Sequence, residues 1–167
     1  MVAGKGEVTD TADREIVIAR VFDASRELVF KAWTDPEHVA QWWGPRGFTN
    51  TIKEMDVRPG GVWRLVMHGP DGVDYPNKIV FIEVVKPERL VYTHGGDGED
   101  EQAPFHVTVT FEVQGSKTRV TMRSLFATAA ERDQVVEQFG AIEGGNQHMD
   151  RLGDYLVAMP VQSRGGR

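Results

Sequence analysis

Five histidines, two carboxylates of one strand parity and a few hydroxyl and amide side chains are the groups in this chain equipped for chemistry. The histidines are His38, His68, His94, His106 and His148, and no two stand at a zinc-site spacing such as H-E-x-x-H. A metal site would have to be assembled from distant strands, and none is expected. Glu54 and Asp56 share a face, as an acid/base pair would, but an exposed polar face is the better account. There is no cysteine, which excludes disulfides, thiolate metal ligands and cysteine nucleophiles. There is no G-x-S-x-G elbow to present a serine, and neither G-x-G-x-x-G nor a P-loop to hold phosphates. No catalytic residue and no cofactor is therefore assigned.

What remains is a set suited to holding an apolar molecule. Trp43, Trp63, Leu65, Met67, Tyr92, Phe105 and Met149 can line one chamber, since rings give large contact area and methionine moulds to irregular shapes. Ligand sites are typically apolar with a few convergent polar groups. Tyr92, His94, Ser124, Asn146 and Gln147 are the candidates for those. His94 shares parity with Leu90 and Tyr92, which aims it inward near a cavity mouth; the alternative is a strand-end histidine facing water. His68 and His106 fall on polar parities. The competing account of the whole set is that it fills a solid core.

The elements that must position these groups are legible. Glu15 to Phe22 (EIVIARVF) is a β-branched strand, apolar at both parities, so its faces stay unassigned. Ser25 caps a short helix carrying Leu28, Val29, Ala32 and Trp33, and Asp35-Pro36 starts a second one carrying Val39, Trp42 and Trp43. Gly44-Pro45 stops it. Six apolar segments follow, separated by turns: 49–58, 62–68, 77–85, 89–94, 105–113 and 118–126. Phe105, Val107, Val109 and Phe111 alternate with His106, Thr108, Thr110 and Glu112, the period of an antiparallel strand with one wet face.

Thr128 and Glu131 form a capping box for a final helix. Val135, Phe139, Ile142, Met149, Leu152, Leu156 and Met159 make its apolar stripe over about eight turns. Gly144-Gly145-Asn146 interrupts the stripe, at a cost of roughly 1 kcal/mol per glycine against alanine. Either the backbone comes close to something there, or Gly145 leaves room for a ligand, or the helix kinks or breaks. The predicted architecture is α+β: a curved antiparallel sheet of about seven strands around a long C-terminal helix, with two short helices after the first strand.

Residues 15–159 form the expected domain, with loose polar tails at 1–14 and 160–167. The GGDGEDE stretch from Gly95 to Glu101 reads as a solvated acidic loop rather than a cation site. A net charge of −6 without any Lys/Arg run argues against nucleic acid as the partner. No apolar run suits membrane insertion or export, so a cytoplasmic protein is the default expectation.

Particular segments carry a family resemblance. They are Arg20–Ala24 with Glu27–Pro36, Trp42-Trp43-Gly44-Pro45 with Gly47-Phe48, Asp56–Gly61 with Trp63, Pro87–Val91, Thr108–Phe111, and Asp150-Arg151-Leu152. In this order they resemble the START-related helix-grip (SRPBCC) superfamily. The branch is the one named after the C-terminal domain of the activator of the heat-shock protein 90 ATPase, in its stand-alone bacterial form. The resemblance spans about Glu15 to Met159. It implies a hydrophobic cavity between sheet and long helix; relatives bind lipids, hormones or polyketides, and a minority catalyse cyclisation or dehydration. The chain departs from the chaperone activators in leaving no room for their separate N-terminal domain, which argues against direct chaperone activation.

The leading expectation is therefore a binding protein for an apolar or aromatic small molecule. A polyketide cyclase-like enzyme is the second reading, and requires a perturbed His94 or Tyr92. The third is an interaction module, for a chaperone or for a homodimer, and requires an exposed apolar face instead of a cavity.

Overall fold

The computed structural model describes residues 12–97 and 104–159, with the side chains of Gln138 and Phe139 set aside. The tails beyond these limits, most of the acidic loop and the Phe139 position on the stripe lie outside the described residues. Ala12–Arg14, assigned above to the tail, form a 3-10 turn tied down by Arg14 Nη1 donating to Phe126 O (2.8 Å).

The chain runs β1 (Glu15–Phe22), α1 (Arg26–Thr34), α2 (Pro36–Trp42), β2 (Thr49–Met55), β3 (Val62–His68), β4 (Asp74–Val85), β5 (Arg89–Gly96), β6 (Phe105–Gln114), β7 (Lys117–Leu125), α3 (Ala129–Phe139) and α4 (Ala141–Ala158). The strands form one curved seven-stranded antiparallel sheet in the order β1-β7-β6-β5-β4-β3-β2. The two short helices carry the chain from one sheet edge to the other. β2 to β7 then meander back until β7 pairs with β1, Glu15 opposite Leu125 and Phe22 opposite Thr118. Bulges in β2 (Ile52/Glu54) and β4 (Phe81/Glu83) add the local twist that bends the sheet.

The caps act where the residue types place them. Ser25 Oγ accepts from Leu28 N (3.2 Å), and Asp35 Oδ1 accepts from Glu37 N (2.9 Å) with Pro36 opening α2. Thr128 Oγ1 accepts from Glu131 N (3.1 Å). β1 resolves its faces: Ile16, Ile18 and Phe22 are buried, whereas Val17 and Val21 face out.

The C-terminal helix differs from expectation. It breaks at Gly140, four residues before the glycine pair, in a left-handed conformation (φ +61°) that donates back to the end of α3. A residue with Cβ is strained there, which is why helices commonly end on glycine in this way. Gly144 and Gly145 sit inside regular helix. Ile142, expected on the buried stripe, is exposed, and His148 takes a place on it beside Met149, Leu152 and Leu156. No helix among the described residues is long and apolar enough to cross a membrane.

One core fills the concave side of the sheet. Its densest part is aromatic: Trp33 meets Trp42, Trp43 and Phe111 edge-on at centroid distances of 5.1, 5.8 and 5.9 Å. Trp63 lies against Trp43 at 4.7 Å and stacks on Phe81 at 6.4 Å. Edge-to-face packing of this kind adds about 0.5–1.5 kcal/mol per pair beyond area burial.

Candidate ligand cavity

The core is not filled to both ends. The sheet face where β1 and β6 begin and β3, β5 and β7 finish stands over the first two turns of α4, and between them lies a cavity of about 230 Å³. Strand alternation explains its walls. Ile16 and Ile18 face it from β1, Phe105 and Val107 from β6, and Met122 and Ser124 from β7. Tyr92 and His94 enter from β5 and Met67 from β3, while Gly144, Gly145 and His148 form the helix side.

Seven of the residues singled out from sequence thus come together: Trp43, Met67, Tyr92, His94, Phe105, Ser124 and Gly145. Four do not. Trp63 and Leu65 have the right strand parity but lie farther along β3, in solid core, at 0% and 1% exposure. Met149 is equally buried (0%), one helical step past the cavity. Asn146 points away: its Nδ2 donates to Ile142 O (3.0 Å), and its Oδ1 lies 3.4 Å from Arg20 Nη2 on the outer side of the helix. Gln147 is also outside, with Oε1 accepting from Arg46 N (3.1 Å).

Gly145 owes its identity to close approach. A methyl group built there runs into Ile18 Cδ1, so α4 lies directly on β1. One to two turns on, the helix holds the loop after α2. Arg151 Nη1 donates to Trp43 O (3.0 Å), Gly44 O (3.2 Å) and Pro45 O (2.9 Å). Gly44 has φ +93°, and His148 Nδ1 accepts its N–H at 3.0 Å. That bond fixes the tautomer, because a neutral imidazole that accepts at Nδ1 carries its proton on Nε2. His148 was missed from sequence. Its ring is fenced by Trp33, Trp42 and Trp43 at 5.5, 4.8 and 4.5 Å, and its Nε2 is buried without a hydrogen-bond partner.

His94 is held differently. Its Nε2 lies 2.8 Å from Asn77 Oδ1, while Asn77 Nδ2 donates to Tyr75 O (2.8 Å) and so fixes which end of the amide is oxygen. His94 therefore donates from Nε2 and keeps Nδ1 bare. The ring stacks on Phe105 at 5.3 Å.

Burial keeps every polar group here neutral. It pulls His94 down to about 4, and it pulls His148 down to about 3 with help from the charge of Arg151 and from His94. Burial raises the Tyr92 hydroxyl; the Trp33 indole opposes that shift, without a hydrogen bond of good geometry. Among the described residues, no Asp, Glu, Lys or Arg lines the cavity.

The remaining candidates are surface groups. His106 is exposed, and His68 bridges Thr51 Oγ1 and Asp74 Oδ1 at 2.8 Å each. Glu54 pairs with Arg64 and Asp56 with Arg58, so these carboxylates are bound to separate arginines. No cluster of three metal-binding side chains occurs among the described residues.

This arrangement has relatives. The model of the family "Activator of Hsp90 ATPase homolog 1-like protein" matches residues 23–157. The chain belongs to that family. Its fold is the helix grip of the SRPBCC superfamily. Ms6760 from Mycobacterium smegmatis is 28% identical in sequence, with 89% of this chain and 94% of that one aligned at a TM-score of 0.80. A protein from Arthrobacter aurescens, also 28% identical, covers 90% of both chains at 0.81. NE0264 from Nitrosomonas europaea, at 25% identity, covers 87% of this chain and 96% of its own at 0.76. No curated protein sequence matches the chain. Within the family frame, the Trp-Trp-Gly-Pro segment and Asp150-Arg151-Leu152 acquire a shared purpose. Arg151 and His148 of α4 hold the loop that forms one cavity wall.

Proposed function

We propose that this protein binds an apolar or aromatic small molecule between the sheet and α4, without a dedicated catalytic centre. The observation that carries this is a largely apolar cavity of about 230 Å³ with no ionised side chain among the described residues of its wall. A cavity of about 150 Å³ accepts benzene, so the space suits one substituted ring or a short branched chain. The fold supports the same reading in general terms, since sheet and helix in this family form a ligand-binding type of domain.

Native mass spectrometry of the freshly purified full chain tests it. A stoichiometric adduct that is lost on denaturation is the expected result, and extraction then names its chemical class. Bare protein that also takes up none of a panel of single-ring compounds would overturn the reading.

Catalysis is a second reading with one specific support: Tyr92 and His94 are both shifted, as it requires. Both shifts favour the neutral form and arise chiefly from burial, which a passive binding site produces equally well. Turnover of an extracted ligand separates the two. The interaction reading asks instead for a continuous apolar outer face. On the β1–β7 pair, exposed Val17 and Val21 stand opposite Arg123 and Arg119, which interrupts such a face with charge.

A further inference from the structure

The hydrogen-bonding pattern of the cavity narrows the ligand, given the binding reading above. Of the two imidazoles, His148 has nothing to offer: Nδ1 is used by Gly44 N–H, and Nε2 is sealed behind the indoles of Trp33, Trp42 and Trp43. His94 is the open one. The chain Tyr75 O, Asn77 amide, His94 Nε2–H runs in a single direction, since each donor is fixed by the carbonyl at its far end. It leaves Nδ1 as an acceptor with no partner among the described residues, on a ring that forms part of the cavity wall.

A bare acceptor in a largely apolar cavity favours a donor and penalises a molecule that lacks one. No cation among the described residues lines the wall to receive a carboxylate, and burying an unpaired anion costs far more than a hydrogen bond returns.

Asn77 also reaches the outside. It lies on the wall of a second recess of about 640 Å³, which includes Arg46, Glu143 and Gln147. That recess shares Pro45, Met67 and Gly144 with the cavity. The recess and the cavity are thus contiguous along those three residues, and Asn77 on the recess wall sets the tautomer of His94 on the cavity wall.

We propose that the ligand is an uncharged, hydroxyl-bearing molecule of about one ring, whose O–H is accepted by His94 Nδ1, with Asn77 as the positioning residue that keeps this nitrogen free of its proton. Discrimination between a phenol and its ether then follows from the Asn77–His94 pair rather than from cavity shape.

Calorimetric titration of the full chain at pH 7 with 4-ethylphenol, 4-ethylanisole and 4-ethylbenzoate tests this. The phenol should bind about tenfold or more tighter than the ether, the ratio expected when one buried acceptor gains or loses its partner. The benzoate should not bind measurably. In His94→Phe, which keeps a flat ring, the phenol-to-ether ratio should fall to near one with ether affinity retained. In Asn77→Leu the ratio should also fall, and the nitrogen-15 shifts of His94 should move from the Nε2–H form toward a tautomer mixture. That signature tests the pair even if His94→Phe fails to fold.

A ratio near one in the parent protein, a ratio unchanged in both variants, or benzoate binding as tight as the phenol would overturn the proposal while leaving the cavity reading intact. Absence of binding by all three probes would overturn both.

Discussion

The two halves of α4 cover the same sheet and do opposite things with it. The C-terminal half presents Met149, Leu152 and Leu156, all 3% exposed or less, and with the tryptophans of α1 and α2 it makes solid core. The N-terminal half presents Gly144, Gly145 and His148 over Ile16, Ile18, Phe105 and Ser124, and leaves about 230 Å³ unfilled. The helix is not farther from the sheet at the open end, because Gly145 lies against Ile18 there. The space lies beside that contact, between Gly144, His148 and the strand ends. Stability is therefore concentrated at one end of the domain and room at the other, with His148 and Arg151 at the seam.

Acid should break that division most forcefully. His94 and His148 have folded values of about 4 and about 3, below the ordinary histidine value of 6.5. Above pH 6.5 both are neutral folded and unfolded, so neither affects stability. As pH falls below 6.5 the unfolded chain takes up protons that the folded chain refuses, and stability declines until the folded values are reached. The slope is at most about 1.4 kcal/mol per pH unit for each histidine. Urea midpoints measured from pH 7.5 to 4.5 should drop steadily below 6.5, and His94→Phe should flatten the drop. A flat profile over that range would show that the histidines are not sealed from solvent.

Trp33→Ala comes next. Trp33 is 1% exposed and touches the rings of Trp42, Trp43, Phe111 and His148. Truncation in packed core costs about 3–5 kcal/mol, a large part of a total of about 5–15. Phe105→Ala, at the open end, removes a side chain already lacking neighbours on one side and should cost clearly less. Denaturant unfolding of the two variants side by side measures the contrast, and equal losses would mean the cavity is closed in solution.

The solid end was easier to read in the sequence than the open one, for physical reasons. Alternation in Phe105–Phe111 and Val120–Phe126 decides which side chains face inward, and the turn residues decide where strands stop. Parity does not decide how far along a strand the packing ceases. Hence Trp63 and Leu65 carried the right face and the wrong place, while Met67, on the same strand, reaches the cavity. Asn146 was credited to the cavity for standing next to Gly145, yet adjacent helical residues point about 100° apart. The same geometry could have found His148, three residues beyond Gly145 and four before Leu152 on the buried stripe. Gly140 carried a stop signal just after Phe139, but the glycine pair drew the break downstream. The tautomers of His94 and His148 depend on Asn77 and Gly44, distant in sequence, and no local pattern encodes them.

The seam can be tested by itself. Arg151→Met keeps most of the aliphatic stem and removes the donor shared by the carbonyls of Trp43, Gly44 and Pro45. Partly buried carbonyls left without a partner cost about 1–3 kcal/mol. Hydrogen exchange should accelerate at residues 44–48 more than in the β6–β7 pair. Uniform acceleration would mean that Arg151 supports the whole fold rather than this loop.

Gly145→Ala has the smallest effect on stability and the sharpest on the contrast between the two ends. In an exposed helix the change would gain about 1 kcal/mol. Here the new methyl meets Ile18 Cδ1, the far end of a side chain that itself lines the cavity. Propensity gain and rotamer cost are of similar size, so the unfolding free energy should change by less than about 1 kcal/mol. Ile18 would then occupy part of the cavity, and an uncharged single-ring ligand should bind several-fold more weakly to a protein of parental stability. A large loss of stability would show instead that α4 cannot yield at this point, and that Gly145 serves packing on β1 rather than the space beside it.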